Sequence, residues 1–473
     1  MEEVLDTIKL RSSFTSFLPG LISALLLTVL PVLAFASEGA AAVRIPPVYA
    51  VIPFVLLLLC IAIVPLKFGH FWEHNKNKAL VVAVVSLPIL VYYMMVSPIA
   101  LWKSIEDYIG FIILLWSLYT ISGGIVLRGN LLATPKVNTI FLATGAVAAN
   151  LFGTTGASML LIRPLLATNQ ERKFKVHTVV FFIFLVSNVG GSLTPLGDPP
   201  LYMGFMKGVP FQWTLQLWPE WLFMVGSLLL TYFLWDRRAY KKEKPADIAA
   251  DYGDKTPLRV DGKVNFLFIV GVMATTILSG RPEINMNPFV RDAILVGMGL
   301  LSMIFTKKQL RKDNDFNFGA IIEVAVLFIG IFITMIPALE LLEMRGGELG
   351  ITQPWQYFWT AGALSSFLDN TPTYLTFLEL AKGTLGFDNV LQLIADVDGA
   401  AILKAISLGA VFMGANSYIG NGPNFMVKAI AEQKGRTQVN MPSFGGYMVY
   451  SVGILVPLFM LVTLLFFGLK IAG

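Results

Sequence analysis

Ser187-Asn188-Val189-Gly190-Gly191-Ser192-Leu193-Thr194-Pro195-Leu196-Gly197-Asp198-Pro199-Pro200 follows an apolar run, Val179 to Val186, suited to the middle of a bilayer. The stretch holds three glycines, three prolines and an aspartate. Proline removes a backbone donor and clashes with the preceding turn, and glycine costs roughly 1 kcal/mol per position relative to alanine. A helix therefore breaks here and frees backbone carbonyls and N–H groups at membrane depth. Lipid cannot satisfy such groups, so the break is buried in protein or lines a wet cavity. Broken helices of this kind build ion and substrate sites.

A second break lies at Ala415-Asn416-Ser417-Tyr418-Ile419-Gly420-Asn421-Gly422-Pro423-Asn424. Each break is preceded by a shorter polar interruption. The first is Ala149-Asn150-Leu151-Phe152-Gly153-Thr154-Thr155-Gly156 and the second is Ser366-Phe367-Leu368-Asp369-Asn370-Thr371-Pro372-Thr373. Matching asparagine to asparagine pairs Asn150 with Asn370 and Asn188 with Asn416. A doubled pattern of interrupted apolar segments is a sequence pointer to a transport site.

Composition sets the class. The 473 residues are 56% hydrophobic and 14% charged, with a mean hydropathy of +0.70, whereas soluble domains carry about 25% charged residues. This is the composition of an integral membrane protein. The net charge of +5 follows from basic residues in short loops, where membrane topology places them, and does not indicate nucleic acid. Cys60 is the single cysteine and sits in an apolar run, which excludes disulfides and cysteine metal sites. The three histidines are His70, His74 and His177; with no HExxH they offer no zinc enzyme. His70 and His74 read as surface residues of a loop. No nucleophile–base pairing or phosphate loop is present, so no enzymatic activity and no cofactor is expected.

Apolar segments at 18–36, 46–65, 79–97, 108–127, 175–197, 212–236, 264–280, 289–306, 319–342, 401–428 and 445–470 approach the ~20 residues needed to cross the hydrocarbon core. Two more, 138–167 and 355–385, are interrupted in the middle and are expected to be re-entrant hairpins. The expected fold is an all-α polytopic membrane protein with about 11 transmembrane helices. Residues 1–44 form either an uncleaved first helix or a signal-like segment ending in Ala34-Phe35-Ala36-Ser37. Residues 45–236 are a first half, with hairpin 138–167 and broken helix 175–200. Residues 237–263 are a basic linker, and 264–473 a second half with hairpin 355–385 and broken helix 401–428.

Lysine and arginine bias places the linker inside, together with the loops holding Lys67, Lys136, Arg163, Lys307 and Lys434. Alternating sides from there makes the two halves inverted-topology repeats, with hairpin tips and breaks meeting near the midplane. Trp102, Trp116, Trp213, Trp218 and Trp221 read as an interface belt.

Amide, hydroxyl and freed carbonyl oxygens are hard ligands suited to alkali cations. Repeat one offers Asn150, Thr154, Thr155, Ser187, Asn188 and Thr194. Repeat two offers Asn370, Thr371, Thr373, Asn416, Ser417, Asn421 and Asn424. The plainer reading of any one of them is a helix cap. Asp198 and Asp369 are the proton- and cation-binding candidates, since an aspartate at membrane depth costs about 2.5–3.5 kcal/mol and is expected to face a cavity. A carboxyl held away from water resists ionisation, so one group can hold a proton or a metal ion but not both. The plainer reading makes each an N-cap. A Na⁺ is expected at Asp198, Asn188, Asp369, Asn370 and Asn416. Glu323 and Glu340 are weaker candidates for a proton path, and Glu323 also fits an ordinary first-turn acid.

At these motifs the chain resembles the ion transporter superfamily, and within it the NhaD-type sodium/proton antiporters. The carrying residues are Ser187–Gly191, Thr194–Pro200, Leu368–Pro372 and Ala415–Met426. The last looks like a subgroup labelled sodium:proton antiporter or citrate transporter. The resemblance covers about residues 45–473 and implies an elevator-type scaffold and transport domain in a homodimer. Sodium/dicarboxylate members carry Ser-Asn-Thr at both tips; this chain departs from that, with an acid at one tip and another in the break.

Two acids and no Lys or Arg in the four clusters attract a cation and repel a polycarboxylate. The expectation is exchange of Na⁺ or Li⁺ for H⁺ in a bacterial inner membrane, with Na⁺- or H⁺-coupled citrate or dicarboxylate transport on the same fold as the alternative. The lipid bilayer, small cations, protons and a second copy are the expected partners.

Overall fold

The computed structural model describes residues 46–468 apart from 247, 249, 250, 252–255, 282, 285 and 436. The expected segment 1–44, with its candidate span 18–36, lies outside the described residues. The chain is mostly helical. Among the described residues nine helices are long and apolar enough to cross a membrane, or ten if one bent pair is a single span.

The chain divides into two compact units, Met1–Tyr108 with Ile322–Met344, and Ile109–Ile321 with Arg345–Gly473. In the first, helices Ile52–Lys67 and Asn75–Val96 pack with the start of Pro98–Ser122. Their core is Ala50, Ile89, Tyr92, Tyr93, Leu101, Ile333 and Ile336. Buried hydroxyls satisfy helix carbonyls across it: Ser104 Oγ donates to Phe332 O at 2.6 Å and Tyr108 Oη to Ala325 O at 2.9 Å.

The expected span 319–342 is two helices, Gly319–Thr334 and Ile336–Leu349, bent by 42°. Pro337 lacks the N–H that would bind the Ile333 carbonyl. Thr334 Oγ1 also bonds back to Gly330 O at 2.8 Å, a contact that bends helices.

The second unit contains both interrupted segments. Pro135–Thr168 turns at Gly153, whose φ of 73° and ψ of 155° leave the helical region. Its two arms come back together: the Asn138 and Asn169 side chains exchange hydrogen bonds of 2.8 and 3.0 Å. A straight helix would hold them about 46 Å apart, so the segment is a helical hairpin. The second hairpin is Pro354–Ser365 followed by Asn370–Leu385. Tyr357 Oη donates to Thr384 Oγ1 at 3.2 Å across its open end.

An all-α reading is corrected at one place. β1 (Val126–Asn130) and β2 (Thr256–Asp261) form a two-stranded antiparallel sheet. β2 is the last part of the expected linker 237–263. Alternation in Pro257-Leu258-Arg259-Val260 gives it strand character, and Arg128 bridges Asp261 of β2 and Asp313.

Candidate functional site

Break one begins where helix Val176–Leu185 ends. A 3₁₀ turn, Val189–Leu193, follows, and the chain restarts as helix Pro199–Met206 with its prolines in the first turn. Break two has the same plan: helix Val397–Met413, 3₁₀ turn Gly414–Asn416, helix Gly422–Ala431. Side chains take up several of the freed backbone groups of break one. Asn150 Nδ2 and Trp221 Nε1 donate to Gly190 O at 2.7 and 2.9 Å. Leu193 N donates to Asn150 Oδ1 at 2.9 Å, and Thr214 Oγ1 to Leu193 O at 2.9 Å.

The breaks match residue by residue, in a register the sequence pairing missed. Thr194 donates to Asn150 O at 2.6 Å, as Ser417 does to Ser366 O at 2.5 Å. Thr194 has φ −136° and ψ 153°, and Ser417 has −138° and 167°. Three residues further on, Gly197 lies so close to Gly191 O that an added Cβ would sit at 2.1 Å, and Gly420 to Gly414 O at 2.5 Å. Next come Asp198 and Asn421, both extended caps of the helix that follows. Asp198 is therefore the counterpart of Asn421, and Asn150 of Ser366. The asparagine-to-asparagine pairing of Asn188 with Asn416 and Asn150 with Asn370 is corrected on these contacts. On the same register Thr154 and Asn370 correspond, each opening the second arm of its hairpin.

These elements converge on Asp198, which is 1% exposed. Its Oδ1 accepts from Thr154 Oγ1 at 2.7 Å and from Asn421 Nδ2 at 3.3 Å; its Oδ2 accepts from Asn370 Nδ2 at 2.9 Å. One carboxylate thus joins both hairpins and both breaks. All three donors are neutral, and among the described residues no Lys, Arg or His forms an ion pair with it.

Asn421 Nδ2 also reaches Ser187 O at 3.1 Å and Asn188 Oδ1 at 3.2 Å. Asn188 Nδ2 donates to Asn424 Oδ1 at 2.7 Å, and Asn424 Nδ2 closes on Gly414 O and Ser417 O, each at 2.9 Å. Ser187 Oγ meets Ser158 Oγ at 2.8 Å.

Of the expected Na⁺ set, Asp198, Asn188 and Asn370 belong to this network. Asp369 does not bond to it. It caps its own helix, its Oδ1 accepting from Thr371 N at 3.0 Å, and its carbonyl takes Thr373 Oγ1 at 3.1 Å. Asn416 Nδ2 donates to Ser366 Oγ at 2.9 Å, while Asn416 Oδ1 and Thr371 Oγ1 are buried without a hydrogen-bond partner. Thr155, next to Thr154, is partly exposed.

Glu323 and Glu340 belong to the other unit, where Lys78 Nζ lies 2.7 Å from Glu323 and Tyr93 Oη donates to Glu340 at 2.6 Å. His70 is exposed beside Glu73. Trp102 and Trp218 are exposed as a belt requires, but Trp213 is buried and Trp221 braces break one. Ser365, whose Oγ donates to Asn370 Oδ1 at 2.7 Å, Ser366 and Trp221 are site residues that the sequence reading left out. Ser366 stood at the edge of a quoted motif, and only the register in which its carbonyl, like that of Asn150, accepts a hydroxyl from the break would have marked it.

Buried helix breaks, paired hairpins and a buried acid at their meeting point define a membrane transporter. The chain belongs to the family described as "Putative citrate transport", whose model matches residues 43–467. No curated protein matches the chain.

Proposed function

We propose that the protein is a secondary transporter that exchanges Na⁺ or Li⁺ for H⁺, with Asp198 carrying each in turn. The observation behind this is the burial of Asp198 among neutral donors from both repeats, with no Lys, Arg or His paired to it among the described residues. A buried charge needs an opposite one, and a proton or a metal ion supplies it. An amide turned by half a turn presents oxygen in place of NH₂. Asn370, Asn421 and Asn188 can thus donate to the bare carboxylate or present hard oxygen ligands to a cation.

The hairpins enter and leave from opposite faces as inverted repeats, and alternating access follows from an elevator-type movement within a homodimer. Asp369, at the second tip, is a second cation- or proton-binding candidate. Proton entry under a negative-inside potential, worth ~2.3 kcal/mol per charge per 100 mV, would drive cation exit.

Carboxylate transport is the second reading, favoured by the family description. Proteoliposomes with a trapped pH dye and an imposed proton gradient separate the two. Gradient collapse on adding Na⁺ or Li⁺, lost in Asp198→Asn, supports exchange. A response to citrate alone overturns it.

A further inference from the structure

Helix Trp218–Tyr240 carries a buried acid at each end, and the two are treated differently. Asp236 is fully buried, and its carboxylate is matched. Arg172 approaches it at 2.7 Å and His177 Nε2 at 2.8 Å, with Asn138 Nδ2 at 3.5 Å. Arg172 also reaches Glu243 at 3.5 Å. This is a clamp at the base of the first hairpin, with opposite charges in contact.

Glu220 lies about 24 Å away along the same helix. It is 2% exposed, yet its Oε2 has no hydrogen-bond partner and no ion pair holds it among the described residues. Its carboxylate accepts from its own backbone N–H, the ordinary duty of a first-turn acid, which leaves the other oxygen unused. The charge of Lys404, on helix Val397–Met413, also acts on it, though no ion pair joins the two among the described residues.

The next residue, Trp221, shares the Gly190 carbonyl with Asn150, so Glu220 is one residue along the helix from the brace of break one. An ionised carboxylate with a bare oxygen is costly at such a place unless it can take up a proton.

We infer that Glu220 is a second proton-carrying carboxyl of the transport cycle, on the flank of break one, with Lys404 as its electrostatic partner. This rests on the reading of the chain as a proton-coupled transporter. The step is the uptake of one proton from water: an O–H bond forms at Oε2, the carboxylate charge is cancelled, and release restores it. Protonation removes the negative charge whose field Lys404 shares, and release returns it, so the local charge balance alternates during the cycle.

The test begins with pH-jump infrared difference spectra of the full chain in lipid, which require no transported solute. One component of the carboxyl C=O difference bands is expected to persist in Asp198→Asn and to be lost in Glu220→Gln. In Lys404→Gln its midpoint moves to higher pH, because removing a positive neighbour favours the protonated acid. In proteoliposomes Glu220→Gln is expected to cut proton movement roughly tenfold while the Na⁺-induced rise in melting temperature persists, and Glu220→Asp restores it.

A band unaltered in both Glu220→Gln and Lys404→Gln overturns the inference, as does proton coupling that survives Glu220→Gln. Should Glu220→Gln fail to fold, Lys404→Gln and Glu220→Asp carry the same test. A wild type that moves no protons with Na⁺, Li⁺ or citrate overturns the transport reading instead, whatever the band does.

Discussion

At Asp198 the first break has φ −142° and ψ 142°; at Asn421 the second has φ −149° and ψ 140°. Each of these residues follows a glycine pressed onto a carbonyl, and each caps a short helix with proline in its first turn. The backbones agree and the side chains differ by a carboxylate against an amide. The architecture asks only for an extended polar residue at this point. The charge is a separate requirement, met once, and Asn421 serves as a donor to the acid of its counterpart.

Making the breaks alike removes the difference. Asp198→Asn is expected to lower cation-driven proton movement by ~100-fold, about 2.7 kcal/mol, with assembly intact by size-exclusion chromatography. Asn370→Ala and Thr154→Val each delete one hydrogen bond to a charged group, worth about 1.5–3 kcal/mol. Cation affinity measured by calorimetry should fall roughly 10- to 100-fold in each.

Asn421→Asp makes the breaks alike in the other direction. Two carboxylates about 3 Å apart cannot both ionise, so the pair retains a proton. Exchange at neutral pH should drop about tenfold and recover at higher pH, seen as a displaced pH–rate profile.

Gly197→Ala and Gly420→Ala test the shared part. Each added methyl meets backbone, so both should destabilise by at least about 1–3 kcal/mol, and by similar amounts, in thermal melts. Unequal losses would show that the breaks are not structural equivalents.

The smallest effect belongs to the surface sheet and serves as a control. Arg128 holds the Asp261 carboxyl below its usual range, and Gln309 and then Arg128 do the same for Asp313. Stability from a lowered carboxyl is present above the ordinary carboxylate range and lost as pH falls through the lowered values. Amide protection factors in 126–130 and 256–261, which correct for the slower intrinsic exchange in acid, should therefore fall as pH falls through those values, with little change at break one.

Both breaks and both hairpins were legible in the sequence because glycine and proline at membrane depth leave few backbone options. The meeting of Asp198 with Asn370 and Asn421 was legible only as a set of residue types. The register between the repeats was not, because asparagine drew the eye while the repeat runs through glycine and hydroxyl residues. Asn150 is matched by Ser366, whose hydroxyl also bonds the neighbouring break. Trp221 was read as part of a lipid-facing belt, since an indole in an apolar run looks the same whether its N–H meets water or a buried carbonyl. The bend in 319–342 was marked by Pro337, but a single proline in so apolar a segment is compatible with one span.

Where each first hairpin arm crosses its break, one copy places Ala146 under Gly190 and the other places Gly362 under Met413. The bulk removed from one side of the contact is returned on the other. Such positions cannot drift one at a time. Gly362→Ala alone should clash with Met413, and adding Met413→Ala should recover much of the loss, a coupling that a double-mutant cycle reads directly. The two copies are thus free to exchange which partner carries the bulk, but not to enlarge both, so change at this contact must come in compensating pairs.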